Sequence, residues 1–126
     1  MTPSEIIKAD YERYGHSEQD VARLFFSIKR LIDNKAGLLL QNGDSVLLIT
    51  NLDGKKAEVA LFTADSPLKI KSALKHFMEQ VKQAGFKEIY GEDGGPVLNK
   101  TLTILKKLGL KVTDSDIPRY KWMAKL

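Results

Sequence analysis

The chain has 126 residues, 43% apolar and 29% charged, the balance of one globular domain with room for a single two-layer core. It has no cysteine, which excludes disulfides, thiolate metal sites and cysteine nucleophiles and suits a reducing compartment. The net charge of +4 is uneven: residues 1–65 carry eight Lys and Arg against ten Asp and Glu, and residues 66–126 carry twelve against six. The basic second half points either to an anionic partner or to a lysine-rich solvated surface.

Thr2-Pro3 opens a predicted helix through about Tyr14, with Pro3 in the first turn where no donor is lost. That segment lacks the apolar core of a signal peptide, and runs such as Val46 to Ile49 are far too short to cross a bilayer. A cytoplasmic protein with no membrane partner is therefore expected. Gly15-His16 ends the first helix. Ser17 with Asp20 reads as a capping box for a second, whose stripe is Val21, Leu24, Phe25, Ile28, Leu31 and Ile32 and which ends near Asp33-Asn34. That stripe is suited either to completing the core or to docking on another subunit.

Three strands follow. Gly37–Leu40 and Ser45–Thr50 flank Asn42-Gly43-Asp44, a tight-hairpin signal, and a turn at Asn51–Gly54 leads into Ala57–Thr63. Ser66 and Pro67 start a helix with the stripe Ile70, Ala73, Leu74, Phe77, Met78 and Val81, stopped by Gly85. Phe86–Tyr90 alternates as a strand, Gly91–Pro96 is a loop, and Leu98, Leu102, Leu105 and Leu108 mark a helix ending at Gly109. Leu110–Thr113 is a strand and Asp114–Pro118 a turn. In the last strand Tyr120, Trp122, Ala124 and Leu126 are expected to share the buried face.

The fold class is thus α/β: a twisted mixed sheet, built from an antiparallel meander and one βαβ crossover, with helices on both faces. One domain is expected over residues 1–126, with a helical part at 1–34 and the sheet and crossover helices at 35–126.

This order of elements resembles the GNAT acyltransferase superfamily in a compact, divergent form. The resemblance covers Ser17 to Leu126. Thr103–Leu110 is similar to the family's penultimate helix, and Met123-Ala124-Lys125-Leu126 to its closing strand. It implies acetyl-CoA in a cleft where two parallel strands splay, here those ending near Thr63 and Tyr90, with the pyrophosphate on the helix that starts at Ser66. The residues it implies for the cofactor are Phe62, Thr63, Ser66, Leu68, Lys69, Ile70 and Asn99.

Two parts of the family pattern are missing. The glycine-containing pyrophosphate loop has no counterpart between Leu61 and Lys71, and Asp65 or Ser66 is expected to cap the helix with its own oxygen. A carboxylate about 4 Å from a phosphate charge would cost roughly 4 kcal/mol at an effective dielectric near 20, which Lys69 and Lys71 could offset. The tyrosine that reprotonates the leaving thiolate in the family falls at Leu105, which cannot donate a proton. For the base, Tyr90 and Glu92 stand at the end of the second splayed strand. His16 and His76 have no partner at metal-ligand spacing, so no metal site is expected.

The function expected from this balance is a catalytically degenerate GNAT-fold protein, needing no cofactor and acting as a binding or structural component. Compact GNAT-like proteins of that kind occur among phage proteins, so a protein partner or virion assembly is expected. The alternative is an acetyl-CoA-dependent N-acetyltransferase. A third reading is a nucleic-acid-binding protein, with Lys69, Lys75, Lys82, Lys106, Lys107, Lys111, Lys121 and Lys125 on phosphates.

Overall fold

Both N-terminal helices begin on capping boxes. In α1 (Pro3–Arg13) the Thr2 hydroxyl accepts from the Glu5 N–H at 3.3 Å and Glu5 accepts from the Thr2 N–H at 2.9 Å. In α2 (Glu18–Asp33) Ser17 and Asp20 exchange the same pair of bonds, at 3.2 and 2.9 Å, as their spacing predicts. The computed structural model describes residues 1–92 and 98–126.

The strands are β1 (Gly37–Asn42), β2 (Ser45–Asn51) and β3 (Lys56–Thr63), then β4 (Glu88–Gly91), β5 (Lys111–Asp114) and β6 (Trp122–Lys125). They form one six-stranded sheet in the order β1-β2-β3-β4-β6-β5. The hairpin at Asn42-Gly43-Asp44 closes with Asn42 opposite Ser45 and Gly43 at φ 57°, where a residue without Cβ is at ease. Helix α3 (Pro67–Gln83) connects β3 to β4, the one parallel pair, and α4 (Leu98–Lys107) precedes β5. Gly85 and Gly109, at φ 98° and 92°, end α3 and α4 as left-handed residues.

Alternation sorts the side chains to the two faces. Leu47, Ile49, Ile89, Trp122 and Ala124 face α3 and α4 and pack with Ala73, Leu74, Phe77, Met78, Val81 and Leu105. Val46, Leu48 and Phe62 face the other way, against Ile6 and Ile7 of α1 and Ile28 of α2. Most of the α2 stripe thus completes the core, with Leu24, Phe25 and Leu31 half-buried, while Ile32 is 41% exposed. Helices α1 and α2 reach β1–β3, and a smaller cluster of Tyr90, Tyr120 and Met123 with Ile117 occupies the same face over β4 and β6.

Three local expectations shift. Tyr120 does not share a face with Trp122, because β6 begins only at Trp122 and the Tyr120 N–H closes a turn onto the Ile117 carbonyl at 3.0 Å. Its ring lies instead beside Tyr90, centroids 5.6 Å apart. Gly91 belongs to β4 rather than to the following loop, paired with Trp122. The rest of that expected loop, beyond Glu92, lies outside the described residues.

Gly91 has no room for a side chain, since a Cβ there would fall inside the Trp122 indole. Gly91→Ala is expected to lower stability by about 1–3 kcal/mol or more through overpacking, with a blue or red shift of Trp122 fluorescence, in chemical denaturation.

Candidate functional site

The site follows from where one ladder stops. β3 and β4 pair in parallel only at Lys56–Glu88, Ala57–Ile89 and Glu58–Tyr90. Beyond Glu58, β3 continues through Thr63 with β2 on one side and, among the described residues, no paired strand on the other, while β4 stays with β6. The two strands therefore part after the Glu58–Tyr90 pair.

The bonds from Leu52 N–H to the Lys56 carbonyl (2.9 Å) and from Ala64 N–H to the Asp44 carbonyl (2.8 Å) turn the even-numbered peptides of β3 toward β2. The odd-numbered residues Leu61 and Thr63 then direct their peptide groups into the gap. Residues of α1 engage both groups of Thr63: its N–H bonds the Asp10 carboxylate, and its carbonyl accepts from the Arg13 guanidinium at 3.4 Å.

A cleft of about 700 Å³ occupies the gap. Its floor and the α3–α4 side are hydrocarbon, from Leu47, Val59, Leu61, Leu74 and Leu105 among others. The α1 side is polar, with Asp10, Tyr11, Tyr14, His16, Glu58 and Glu92. Asp10 is only 8% exposed; burial pushes its carboxyl up, against the pull of the Arg13 guanidinium paired with it. His16 stacks on Tyr11, centroids 3.8 Å apart.

Glu58 stands where the strands diverge. Its Oε2 accepts from the Tyr120 hydroxyl at 2.9 Å and lies 3.9 Å from the Arg119 guanidinium, which also donates to Glu92 at 3.3 Å. Burial, and then the bond to Glu58, raise the Tyr120 phenol, so it remains a donor.

The residues expected for the site distribute unevenly. Phe62, Thr63, Ile70 and Glu92 line the cleft. Ser66, Leu68 and Lys69 are exposed on the first turn of α3, Leu68 at 86%, and do not line it. Asn99, in the first turn of α4, is exposed and offers its carbonyl to the Thr103 hydroxyl at 2.8 Å. Tyr90 is fully buried outside the cleft, with its hydroxyl donating to Glu88 at 2.6 Å and 3.2 Å from Asp116 Oδ1. The sequence reading missed Glu58, although it is the one carboxylate in an otherwise apolar strand interior. It also missed Asp10, an acid on the inward face of α1.

The start of α3 departs from expectation. Ser66 has N-cap geometry but makes no side-chain capping bond. Asp65 is turned to the β1–β2 hairpin, where its Oδ2 accepts from the Asp44 N–H at 3.1 Å and the Ser45 hydroxyl at 2.7 Å. The Asp65 N–H in turn donates to Thr63 Oγ1 (3.0 Å), which lies 2.7 Å from Ser45 Oγ. Neither side chain thus occupies the first-turn N–H groups of α3, contrary to the capping expected of them.

Burial, followed by the bonds to Glu88 and Asp116, also raises the Tyr90 phenol. A neutral form favoured by the fold adds stability that is complete below the ordinary value of 10.0 and is lost as pH rises from there through the raised folded value. Tyr90→Phe, with no proton to lose, is expected to show a shallower fall in unfolding free energy above pH 10.0. It should also be less stable at neutral pH, where Glu88 and Asp116 lose their donor; denaturant titrations across pH measure both.

No family model and no curated protein sequence matches the chain. Solved structures do match. An acetyltransferase from Streptococcus agalactiae superposes with a TM-score of 0.62 at 16% identity, covering 97% of this chain and 87% of its own. The IAA acetyltransferase from Bacillus cereus gives 0.61 at 16% identity, covering 99% and 93%. The Campylobacter jejuni N-acetyltransferase PseH, in complex with acetyl coenzyme A, gives 0.56 at 14% identity, covering 100% and 92%. At such identities the likeness is one of architecture, and the mixed sheet with its single parallel pair and flanking helices has the fold of the GNAT acetyltransferases.

Proposed function

We propose that the protein is an acyl-CoA-dependent N-acyltransferase, with acetyl-CoA the simplest donor, rather than a degenerate copy of the fold. The observation that carries this reading is the cleft at the β3–β4 split, which Phe62 and Thr63 border and which is open among the described residues. Leu68 points to solvent and Tyr90 is packed outside the cleft, so neither closes it.

The residues fit the donor in three ways. The Leu61 peptide, directed into the gap, suits an amide of an extended pantetheine arm, which would bind as a short strand. The uncapped first turn of α3, with Lys69 on it, suits the pyrophosphate. The polar α1 side suits an amine acceptor.

The donor supplies an activated thioester: the C–N bond to the amine forms, the C–S bond breaks, and the CoA thiolate leaves and takes a proton from solvent. Glu58 accepts the proton lost by the amine, directly or through one water, with Tyr120 and Arg119 fixing its carboxylate. Glu92, tied to the same arginine, stands at the cleft end of β4. A thiol has an ordinary pKa near 8.5, so its thiolate is a fair leaving group at neutral pH without a phenol at position 105.

Calorimetric titration with acetyl-CoA is expected to give a dissociation constant in the micromolar range, weakened at least tenfold, about 1.4 kcal/mol, by Lys69→Glu. No heat at millimolar cofactor would return the protein to the degenerate class. With an amine acceptor, Glu58→Gln is expected to lower kcat about 10²–10⁴-fold with little change in acetyl-CoA affinity, as loss of a general base requires. Equal turnover by the variant would remove Glu58 from that role.

A further inference from the structure

We propose that the protein pairs with a second copy of itself along the outer edge of β1, the two β1 strands running antiparallel about a twofold axis at Leu39. The sheet ends in β1 on one side and β5 on the other, and the two edges differ. β5 is four residues, Lys-Val-Thr-Asp, with a charge at each end. Shortness and charge are the usual means by which an edge is kept from adding a further strand. β1 is six residues, Gly-Leu-Leu-Leu-Gln-Asn, with no charge and no proline. Its register with β2 is continuous from Gly37–Thr50 to Asn42–Ser45, so no bulge twists it away. Among the described residues, no strand pairs with its outer side.

The outward groups of β1 match those of their own copy. The Asn51 N–H donates to the Ala36 carbonyl at 2.9 Å, and these two residues continue the β1–β2 register, so the even-numbered peptides of β1 turn toward β2. Gly37, Leu39 and Gln41 therefore direct their N–H and C=O groups outward. Residues spaced by two are symmetric about the middle one. In an antiparallel pair centred on Leu39, Leu39 meets Leu39 and Gly37 meets Gln41 on either side. Each such pair exchanges two hydrogen bonds, and no outward group is left over.

Side chains on both faces of the sheet agree with this axis. Leu38 lies opposite Ile49 on the α3 face and is 52% exposed; the pairing sets it beside Leu40 of the other copy. On the α1–α2 face a groove of about 420 Å³ runs beside Leu39, bordered by Phe25, Ile32, Lys29 and Asp33. Ile32 is the member of the α2 stripe that the chain's own core leaves 41% exposed. Lys29 and Asp33 stand one helical turn apart, both exposed, and neither has an ion pair among the described residues. A twofold axis normal to the sheet sets the two α2 helices antiparallel, so that Lys29 of each copy faces Asp33 of the other. A foreign strand would have to bring both the leucines and the opposed charges, and a second copy carries both.

Sedimentation of the intact chain over a range of concentrations tests the proposal. The mass is expected to rise from one copy to two and no further, as a closed twofold pair requires. Amide hydrogen exchange is expected to slow at Gly37, Leu39 and Gln41 as the dimer forms, and to change little at Leu38 and Leu40, which already bond β2. Leu38→Lys, which puts a charge on the edge, is expected to weaken association at least tenfold with the fold retained. Gln41→Pro removes an outward N–H that β2 does not use, and serves the same purpose if the first variant does not fold. Lys29→Asp is expected to weaken association about fivefold, and Asp33→Lys added to it to restore the dimer. A monomer at every concentration overturns the proposal, and so does a mass that keeps rising. A dimer left intact by a folded edge variant, or formed with no slowing at the three odd-numbered amides, places the contact elsewhere and overturns it too. Failure of the charge swap to restore pairing overturns the register. None of these outcomes bears on the acyltransferase reading, whose cleft begins two strands away at β3.

Discussion

The shortness of the β3–β4 ladder is the constraint on which the remaining features depend. β3 is eight residues long and β4 is four; β3 is paired with β2 from Ala57 to Thr63, and all of β4 is paired with β6. Only three residue pairs bridge them. With the ordinary right-handed twist of sheets, strands held so firmly on their outer sides separate once the shared register runs out. The split leaves peptide groups of β3 facing a gap, and a buried backbone polar group requires a partner. Here the gap becomes the cleft. Glu58 gains its position from the same event, as the last β3 residue with a partner on β4.

A second constraint acts at the exit of β3. Asp65 is engaged by the Asp44 N–H and the Ser45 hydroxyl, and its own N–H reaches Thr63. Ser45 is fully buried and Thr63 nearly so, and each polar group in this ring meets another. The ring fastens the β1–β2 hairpin to the strand end. It also withdraws a carboxylate from the start of α3, where its charge would oppose an anion. A residue expected from the sequence to cap α3 thereby fastens the hairpin instead.

The polar face over β4 and β6 shows how burial keeps phenols protonated. Tyr90 and Tyr120 sit among Glu58, Glu88 and Asp116, and both hydroxyls donate to carboxylates. Low solvent access and nearby negative charge each disfavour a phenolate. Tyr90 is therefore held as a donor to Glu88 and Asp116, whereas Tyr120, on a turn that carries no regular pattern, donates to the Glu58 carboxylate at the split. Nothing in the spacing of Asp114–Tyr120 could reveal that.

Local chemistry determined the elements themselves. The capping pairs Thr2–Glu5 and Ser17–Asp20, the Asn42-Gly43 turn, the glycines after α3 and α4 and the apolar alternation of β1–β3 act over a few residues, so they are legible in the chain. The order of those elements also implied the βαβ crossover and hence a GNAT-like sheet. The chemistry of the site depended instead on contacts between distant segments: Glu58 with Tyr120, 62 positions apart, and Ser45 with Asp65, 20 apart. Which oxygen caps, which carboxylate faces a cleft and which tyrosine is buried are settled by strand order and register. Those arise only when the whole sheet assembles, because the energy of a polar group depends on the partners and the solvent around it rather than on its neighbours in sequence.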